Sequence, residues 1–441
     1  MITKDRLGTI FYLAFPITIG LASTFIMVFI DLAMVGKLGN EAMAAIGLAG
    51  FSYTLIVAFV RGISPAVQGL VARSIGEKSH EPKCISLNAG LILVLLIGIP
   101  LSVICYFITP TYFSLIAIDP EIVKEGVPYL KALCLSVIGV GIGEAFEGFW
   151  TGVGKTKVYM FNIIFINSLN ILLNYALIFG NFGMPALGTL GAGIASAISV
   201  YAGAIIYFIV TLIKCKNDSF LSVKPSKELV KKIFAIGLPE SIREAMFSLG
   251  YVVFYWIVGH IGTLELAAMN VLVRISLVLT LFPLALGIAA ATLTSDAVGK
   301  GDIPSAVDWG GDVGKVGVIW TTLLGLPLFF FPEWFLSLFL VDPKAISLAI
   351  IPLQITGALS GVSSLIFIFA YALVSLGDGN RVLLVSFGTQ WLLFLPAVSV
   401  ISFYLNYGLL EVWLVQTVYA LIATAWMTSL WRDGKWKKIA Y

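Results

Sequence analysis

Charge is what this chain has least of. Asp, Glu, Lys and Arg together make up 12% of its 441 residues, against roughly a quarter in water-soluble domains. That leaves too little polar surface to keep a folded chain in water. With 59% hydrophobic residues, the chain falls in the membrane class. Histidine is nearly missing. His80 and His260 are the two present and lie far apart, which argues against a zinc site. The four cysteines, Cys84, Cys105, Cys134 and Cys215, fall in apolar stretches or in a loop assigned to the cytoplasmic side. They show neither a disulfide framework nor metal-ligand spacing. A formal charge of +3 gives no electrostatic footprint for a nucleic-acid partner. No His, Cys or Ser constellation with a base is visible, so an enzyme is not expected. No filter-like loop suggests a channel.

What the chain does have is apolar runs long enough to cross a hydrocarbon core of about 30 Å. They occupy 8–35, 44–70, 84–108, 126–150, 158–180, 191–213, 232–258, 267–294, 313–331, 349–373, 381–403 and 408–430. The first begins near Leu7 and is too long for a cleavable signal peptide. With the N-terminus inside, 20 of the 27 Lys and Arg residues fall in cytoplasmic segments, among them six lysines from Lys214 to Lys232. The outer loops hold only Lys37, Lys124 and Lys344. That bias places both termini in the cytoplasm of a multi-pass inner-membrane protein.

The two halves repeat at one constant offset of 223 residues: Pro16 and Pro239, Gly36 and Gly259, Gly39 and Gly262, Gly76 and Gly299, Gly154 and Gly377. Ala44-Ala45 pairs with Ala267-Ala268, and Asp119-Pro120 with Asp342-Pro343. Each half has an even number of spans, so the repeats are parallel and related by an axis along the membrane normal. Rocking of one against the other is then the expected transport motion. The expected fold is an all-α integral membrane protein of twelve transmembrane helices in two pseudo-symmetric six-helix bundles. The N-terminal lobe covers 1–213, a basic cytoplasmic linker 214–232, and the C-terminal lobe 233–441.

Several segments carry a resemblance. They are DLAMVGKLG at 31–39, QGLVARSIGE at 68–77, GVGKTK at 152–157, NILLNYALIFG at 170–180 and GAGIAS at 191–196. In the second half AAMN at 267–270 and Phe282-Pro283 recur at the expected places. In order, spacing and duplication they resemble the bacterial type of the multidrug and toxic compound extrusion (MATE) family over nearly the whole chain. The resemblance implies a twelve-helix exporter of lipophilic or cationic compounds, acting as a monomer, driven by H⁺ or Na⁺ and using no other cofactor. It also implies a V-shaped pair of bundles around a central cleft. A lipid-linked oligosaccharide flippase or a dedicated metabolite exporter of the same fold group is the alternative. Twelve spans and the retention of Asp31 favour the drug exporter.

A carboxylate inside a bilayer is expensive unless paired, hydrated or protonated, so each one is a candidate functional group. Asp31 lies near the outer end of span one, about one helical turn or 6 Å deep. Asn174 and Asn170, one turn apart on span five, and Ser196 of span six fall at similar depths. These four oxygen-bearing side chains can converge to hold a hard cation or a protonated carboxyl. The resemblance implies that they form the cation site of this lobe; interhelical bonding is the alternative for the two asparagines. Some family branches carry an aspartate where Asn174 stands, which leaves H⁺ and Na⁺ both open and no metal expected beyond a Na⁺ at Asp31. Pro16, on the same helix, removes a backbone bond and permits a kink. The resemblance associates that bending with protonation of the aspartate.

The second half carries Glu240, Arg243 and Glu244 in span seven, with Arg274 and Asn270 in span eight. Glu240 and Glu244 share a helix face beside Arg243, forming either an internal ion-pair cluster or a substrate or second-lobe site. Glu144 and Glu147 of span four are expected to pair with Arg61 of span two. Asp378, in a Gly-rich inner loop, matches an acidic position of the family and equally suits a turn. At the duplicate of Asp31 stands Phe254, so coupling is expected in the first half.

Overall fold

A computed structural model describes residues 2–78, 83–117, 119–216, 220–405 and 407–439. His80 and residues 217–219 of the basic linker lie outside the described residues. Among the described residues every regular element is a helix, and 12 helices are long and apolar enough to cross a membrane. The helices run as α1 (Lys4–Val35), α2 (Asn40–Arg61), α3 (Ile63–Gly76), α4 (Ile85–Ile116), α5 (Pro120–Gly152), α6 (Thr156–Phe179), α7 (Gly188–Lys214) and α8 (Lys227–Ile261). They continue as α9 (Thr263–Gly299), α10 (Ile303–Phe330), α11 (Pro332–Ser337), α12 (Pro343–Ser375), α13 (Gly379–Phe387), α14 (Leu395–Phe403), α15 (Leu409–Arg432) and α16 (Trp436–Ile439). A π-helical turn, Gly388–Phe394, joins α13 to α14 within one span.

The outward faces are apolar. Phe107 is 73% exposed, Phe161 66% and Leu384 65%. A protein surrounded by water does not spread such side chains over its surface. In hydrocarbon they are matched to their solvent, while the helices satisfy their own backbone groups.

The 223-residue repeat is written into the backbone. Asp119 and Asp342 each cap the helix that follows, accepting from the amides of Glu121 at 2.9 Å and Lys344 at 2.8 Å, with a proline as first helical residue. Gly154 and Gly377 both take positive φ, 78° and 96°, and close equivalent helix ends. Lys155 N donates to Trp150 O and Asp378 N to Leu373 O, both at 2.9 Å. This is the 6→1 closure that needs a left-handed residue. The helices so bounded, α5 and α12, are the centres of their surroundings: α5 packs on α2, α3, α4 and α7, and α12 on α9, α10 and α15. Several spans run further than their apolar cores. The ninth begins at Ile303 rather than near 313, because Asp302 accepts from Ser305 N at 2.9 Å and Pro304 opens the helix.

Packing divides the chain differently from the division by sequence at 214–232. One compact unit is Ile19–Ala245; the other combines Met1–Thr18 with Met246–Tyr441. The start of α1 belongs to the second unit because Arg6 finds its charge partner there. Its guanidinium donates to Asp312 at 2.7 Å and lies 4.5 Å from the Trp309 ring centroid. Phe11 meets Trp320 edge-on at 5.3 Å. The start of α8 belongs to the first unit, where Ile233 enters the core formed by Val67, Leu87, Phe146 and Trp150, and Ser241 donates to Phe59 O at 3.2 Å.

Where α2 ends and α3 begins, Gly62 meets Gly237 of α8 backbone to backbone; a Cβ on Gly237 would stand 2.6 Å from Gly62 O. Gly237→Ala is therefore expected to lower the thermal unfolding midpoint in detergent, with a cost of about 1–3 kcal/mol from forced separation of the two backbones. Gly143→Ala, where a Cβ meets nothing within 4 Å, should leave the midpoint unchanged or slightly raised. Equal midpoints for the two variants would refute the close-contact reading.

Candidate functional site

Glycine decides how closely α7 approaches its neighbours. A Cβ at Gly191 would lie 2.5 Å from Leu177 O of α6, and one at Gly193 would lie 2.9 Å from Tyr129 O of α5. Only at this separation does Ser196, one turn further along α7, reach α6. Asn170 Nδ2 donates to Ser196 Oγ at 3.2 Å. Asn174, one turn outward on α6, donates from Nδ2 both to Asn170 Oδ1 at 3.0 Å and to Asp31 Oδ1 at 2.6 Å. The four expected residues thus stand in one connected chain, Asp31–Asn174–Asn170–Ser196, all within the Ile19–Ala245 unit.

The chain is incomplete at one end of one amide. Asn174 is 1% exposed, yet its Oδ1 is buried without a hydrogen-bond donor. Buried polar atoms of this kind are rare and call for a reason. Asp31 is half-buried and, among the described residues, has no Lys or Arg partner. Its oxygens, Asn174 Oδ1 and Ser196 Oγ together form a set of acceptors to which, among the described residues, only the amide nitrogens of Asn174 and Asn170 donate. The arrangement suits one added positive charge, as a proton on the carboxyl or as a small hard ion among oxygens.

Further in along α1 and α6 the same pairing continues. Asn167 Nδ2 donates to Ser23 Oγ at 2.7 Å and to Thr24 Oγ1 at 3.1 Å. Reading only the residues near Asp31 misses this bridge. The signal was four asparagines, at 162, 167, 170 and 174, on an otherwise apolar helix.

The duplicate positions in the other unit carry none of this chemistry. At the offset of 223, Asp31 becomes Phe254, Asn170 becomes Leu393, Asn174 becomes Ala397 and Ser196 becomes Tyr419. Phe254 is 1% exposed, and its ring centroid is 5.0 Å from that of Phe394, which in turn stacks on Tyr419 at 4.9 Å.

A family model described as MatE matches residues 16–176 and 239–398, two segments that begin one repeat apart. The chain belongs to the MatE family. Relatives in this family include the probable multidrug resistance protein NorM of Thermotoga maritima, 25% identical over 419 residues covering 93% of this chain and 89% of that protein. The multidrug resistance protein MdtK of Yersinia pseudotuberculosis is 24% identical over 392 residues, 87% and 85% of the two chains. Among solved structures, the outward-facing conformation of a multidrug resistance MATE family transporter superposes with a TM-score of 0.89 at 19% identity, covering 96% of this chain and 95% of that one. A transporter from Pyrococcus furiosus gives 0.87 at 20% identity over the same shares. The MatE assignment makes this a multi-pass membrane transporter and not an enzyme.

The remaining charges of this MatE chain are placed less simply than their spacing suggested. Glu240, 5% exposed, is gripped by Arg243 through two hydrogen bonds, Nε to Oε2 at 2.8 Å and Nη2 to Oε1. Glu244 does not join that pair; it accepts from Arg61 Nη1 of α2. Arg61 therefore serves Glu244 first and reaches Glu144 only at 3.9 Å, and Glu147 has no ion-pair partner among the described residues. Glu240 and Glu244 fall in the Ile19–Ala245 unit, whereas Arg274 and Asn270 fall in the other. The four are thus not assembled within one unit. Asn270 spends its amide on Leu266 O of its own helix at 2.9 Å, and Arg274 is exposed with no ion pair among the described residues.

Asp378, 2% exposed, makes no cap hydrogen bond. Instead it pairs with Arg381 at 3.0 Å, and Arg381 also binds Asp433. Burial raises the Asp378 carboxyl above its usual range against the pull of Arg381. Asp433, against some desolvation, is held below its usual range by the Arg381 guanidinium and the Lys435 amide.

Glu240→Gln removes the buried carboxylate that the half-buried Arg243 holds through two hydrogen bonds. A loss of about 3 kcal/mol is expected from breaking a buried pair on one side, read as a lower unfolding midpoint. Glu121→Gln removes the partner of Lys124, an exposed pair that contributes under about 1 kcal/mol, and should change little. A wild-type midpoint for Glu240→Gln would show that the pair does not hold α8 in place.

Proposed function

We propose that this chain is a secondary exporter that moves organic, often cationic, compounds out of the bacterial cell against H⁺ or Na⁺, with Asp31 as the coupling group. The observation that carries this reading is the unpaired Asp31 carboxylate beside a buried, undonated Asn174 oxygen. A carboxylate held in hydrocarbon without a cationic partner is stabilised by taking up a proton or an ion. Asn170 and Ser196 supply the neighbouring oxygens and fix the Asn174 amide. One carboxylate carries one positive charge per cycle.

Family membership and the names of the relatives support the substrate class. The parallel repeats support rocking of the two halves as the transport motion, and Pro16 supplies a weak point in the backbone ladder of α1. The Lys and Arg distribution supports an inner-membrane protein with both termini in the cytoplasm, working as a monomer. No cofactor other than the coupling ion enters this cycle.

In everted vesicles, a lipophilic cation added to the wild-type protein should dissipate a preformed pH or Na⁺ gradient, and Asp31→Asn should abolish the effect. Running the two gradients separately names the ion. Equal dissipation by wild type and Asp31→Asn would remove Asp31 as the coupling group. In the same assay Pro16→Ala is expected to slow export, and an unchanged rate would end the hinge role of this proline.

A further inference from the structure

The basic stretch 214–232 is not used by the proposed transport cycle. It carries six lysines, Lys214, Lys216, Lys224, Lys227, Lys231 and Lys232, against two acidic residues, Asp218 and Glu228. All six lysines are exposed. Arg6, Arg73, Lys300, Lys315 and Arg381, assigned to the same side of the membrane, each hold an acidic side chain. Among the described residues none of the six lysines does.

These lysines do not ride on a slack tether. Phe220 is buried, its ring centroid 5.3 Å from that of Phe208 on α7 and 6.0 Å from that of Phe146 on α5. The buried Asn88 of α4 donates from Nδ2 to Val223 O at 3.1 Å and accepts from the Leu221 amide at 3.2 Å. Cys215 is buried in the same core as Phe220, and Leu229, Val230 and Ile233 at the start of α8 pack into it. Lys227 and Lys231, one turn apart, are thereby left on the outward side. The lysines are displayed by a backbone fixed through Cys215, Phe220 and the Asn88 amide, in the short interval between the end of α7 and the start of α8. Both helices are candidate membrane spans, so the interval stands where hydrocarbon gives way to headgroups. Leu221, 55% exposed, adds an apolar side chain among the charges.

We propose that this stretch is a docking surface for anionic phospholipid headgroups. Lys214, Lys216, Lys224 and Lys227 receive the phosphates, and Phe220 and Asn88 hold the backbone that presents them. An ammonium group is a compact charge with three donors, suited to phosphate oxygens, and a basic stretch beside a span is drawn to an anionic leaflet. Because the backbone is already docked, little chain ordering is lost when lipid binds. A zwitterionic headgroup, whose own ammonium meets the lysines, is received less well. The inference rests on the membrane reading of the spans and not on coupling at Asp31.

The test is collisional quenching in lipid nanodiscs, with no ion gradient imposed, so its result does not depend on transport. The full chain, its native cysteines replaced by alanine, carries one fluorophore on Leu221→Cys. Phosphatidylglycerol and phosphatidylcholine, spin-labelled at the same acyl position, are compared as quenchers at equal mole fraction. At low salt phosphatidylglycerol should quench about threefold more strongly or better. Near 1 M salt, where the Debye length falls to about 3 Å, the two should become equal. A fluorophore on Phe182→Cys, exposed in the loop between α6 and α7, should show no preference. Changing Lys214, Lys216, Lys224 and Lys227 together to Gln should remove the preference at position 221. Equal quenching at 221 with all lysines present, the same preference at 182, or a preference that survives high salt or the four Gln changes would each overturn the proposal. The lipid comparison is made with every lysine in place, and so stands even if the fourfold variant fails to fold.

Discussion

A charge inside hydrocarbon must find a partner, and the rest of this structure is arranged around that requirement. The cost of leaving an ion unpaired in a bilayer exceeds that of almost any packing defect, so the buried charges act as fixed points. Arg6 draws the start of α1 onto α10 through Asp312. Arg61 draws α8 onto α2 through Glu244. Glu240 and Arg243 close on each other within a single turn. The glycines at 62 and 237 bring α8 against the end of α2, where Arg61 meets Glu244, and those at 191 and 193 bring α7 against α6 and α5. Asp31 and Glu147 are left without an ion-pair partner among the described residues.

Much of this was legible in the residues. Twelve apolar runs, the Lys and Arg bias and the constant offset gave the span count and the repeat, because each is a property of composition along one dimension. The four residues around Asp31 were also legible, since depth along a helix follows from counting residues at a known rise. Partner choice was not. Glu244 reads as a neighbour of Arg243 on the same helix, and only the Gly62–Gly237 contact, which brings in Arg61 from another span, changes its partner. The start of α10 was missed for a different reason. An apolarity criterion ignores the Asp302 cap and Pro304, which continue the helix beyond the hydrocarbon.

The repeats are alike in backbone and unlike in chemistry. Caps, helix-closing glycines and central helices recur at the same offset, so the duplicated part is the scaffold. At the positions of Asp31, Asn170, Asn174 and Ser196, the second copy has Phe254, Leu393, Ala397 and Tyr419. An apolar, aromatic-rich core needs no ion and responds to none. The two halves therefore share a scaffold and differ in what is buried at these positions, a polar chain in one and packed apolar and aromatic side chains in the other.

The division of α1 and α8 between the two units has a consequence for synthesis. Residues 1–18 are made before the Ile19–Ala245 unit but belong to the unit that follows it in sequence, so they wait through the insertion of the spans between. The Ile19–Ala245 unit is in turn unfinished when its sixth span is in place, and closes only when the start of the seventh follows. Neither half, expressed alone up to the basic linker, contains all of its own unit. The separation in sequence between Arg6 and Asp312 makes their pairing a late, non-local closure, the kind of step that slows assembly while tying the start of α1 to α10.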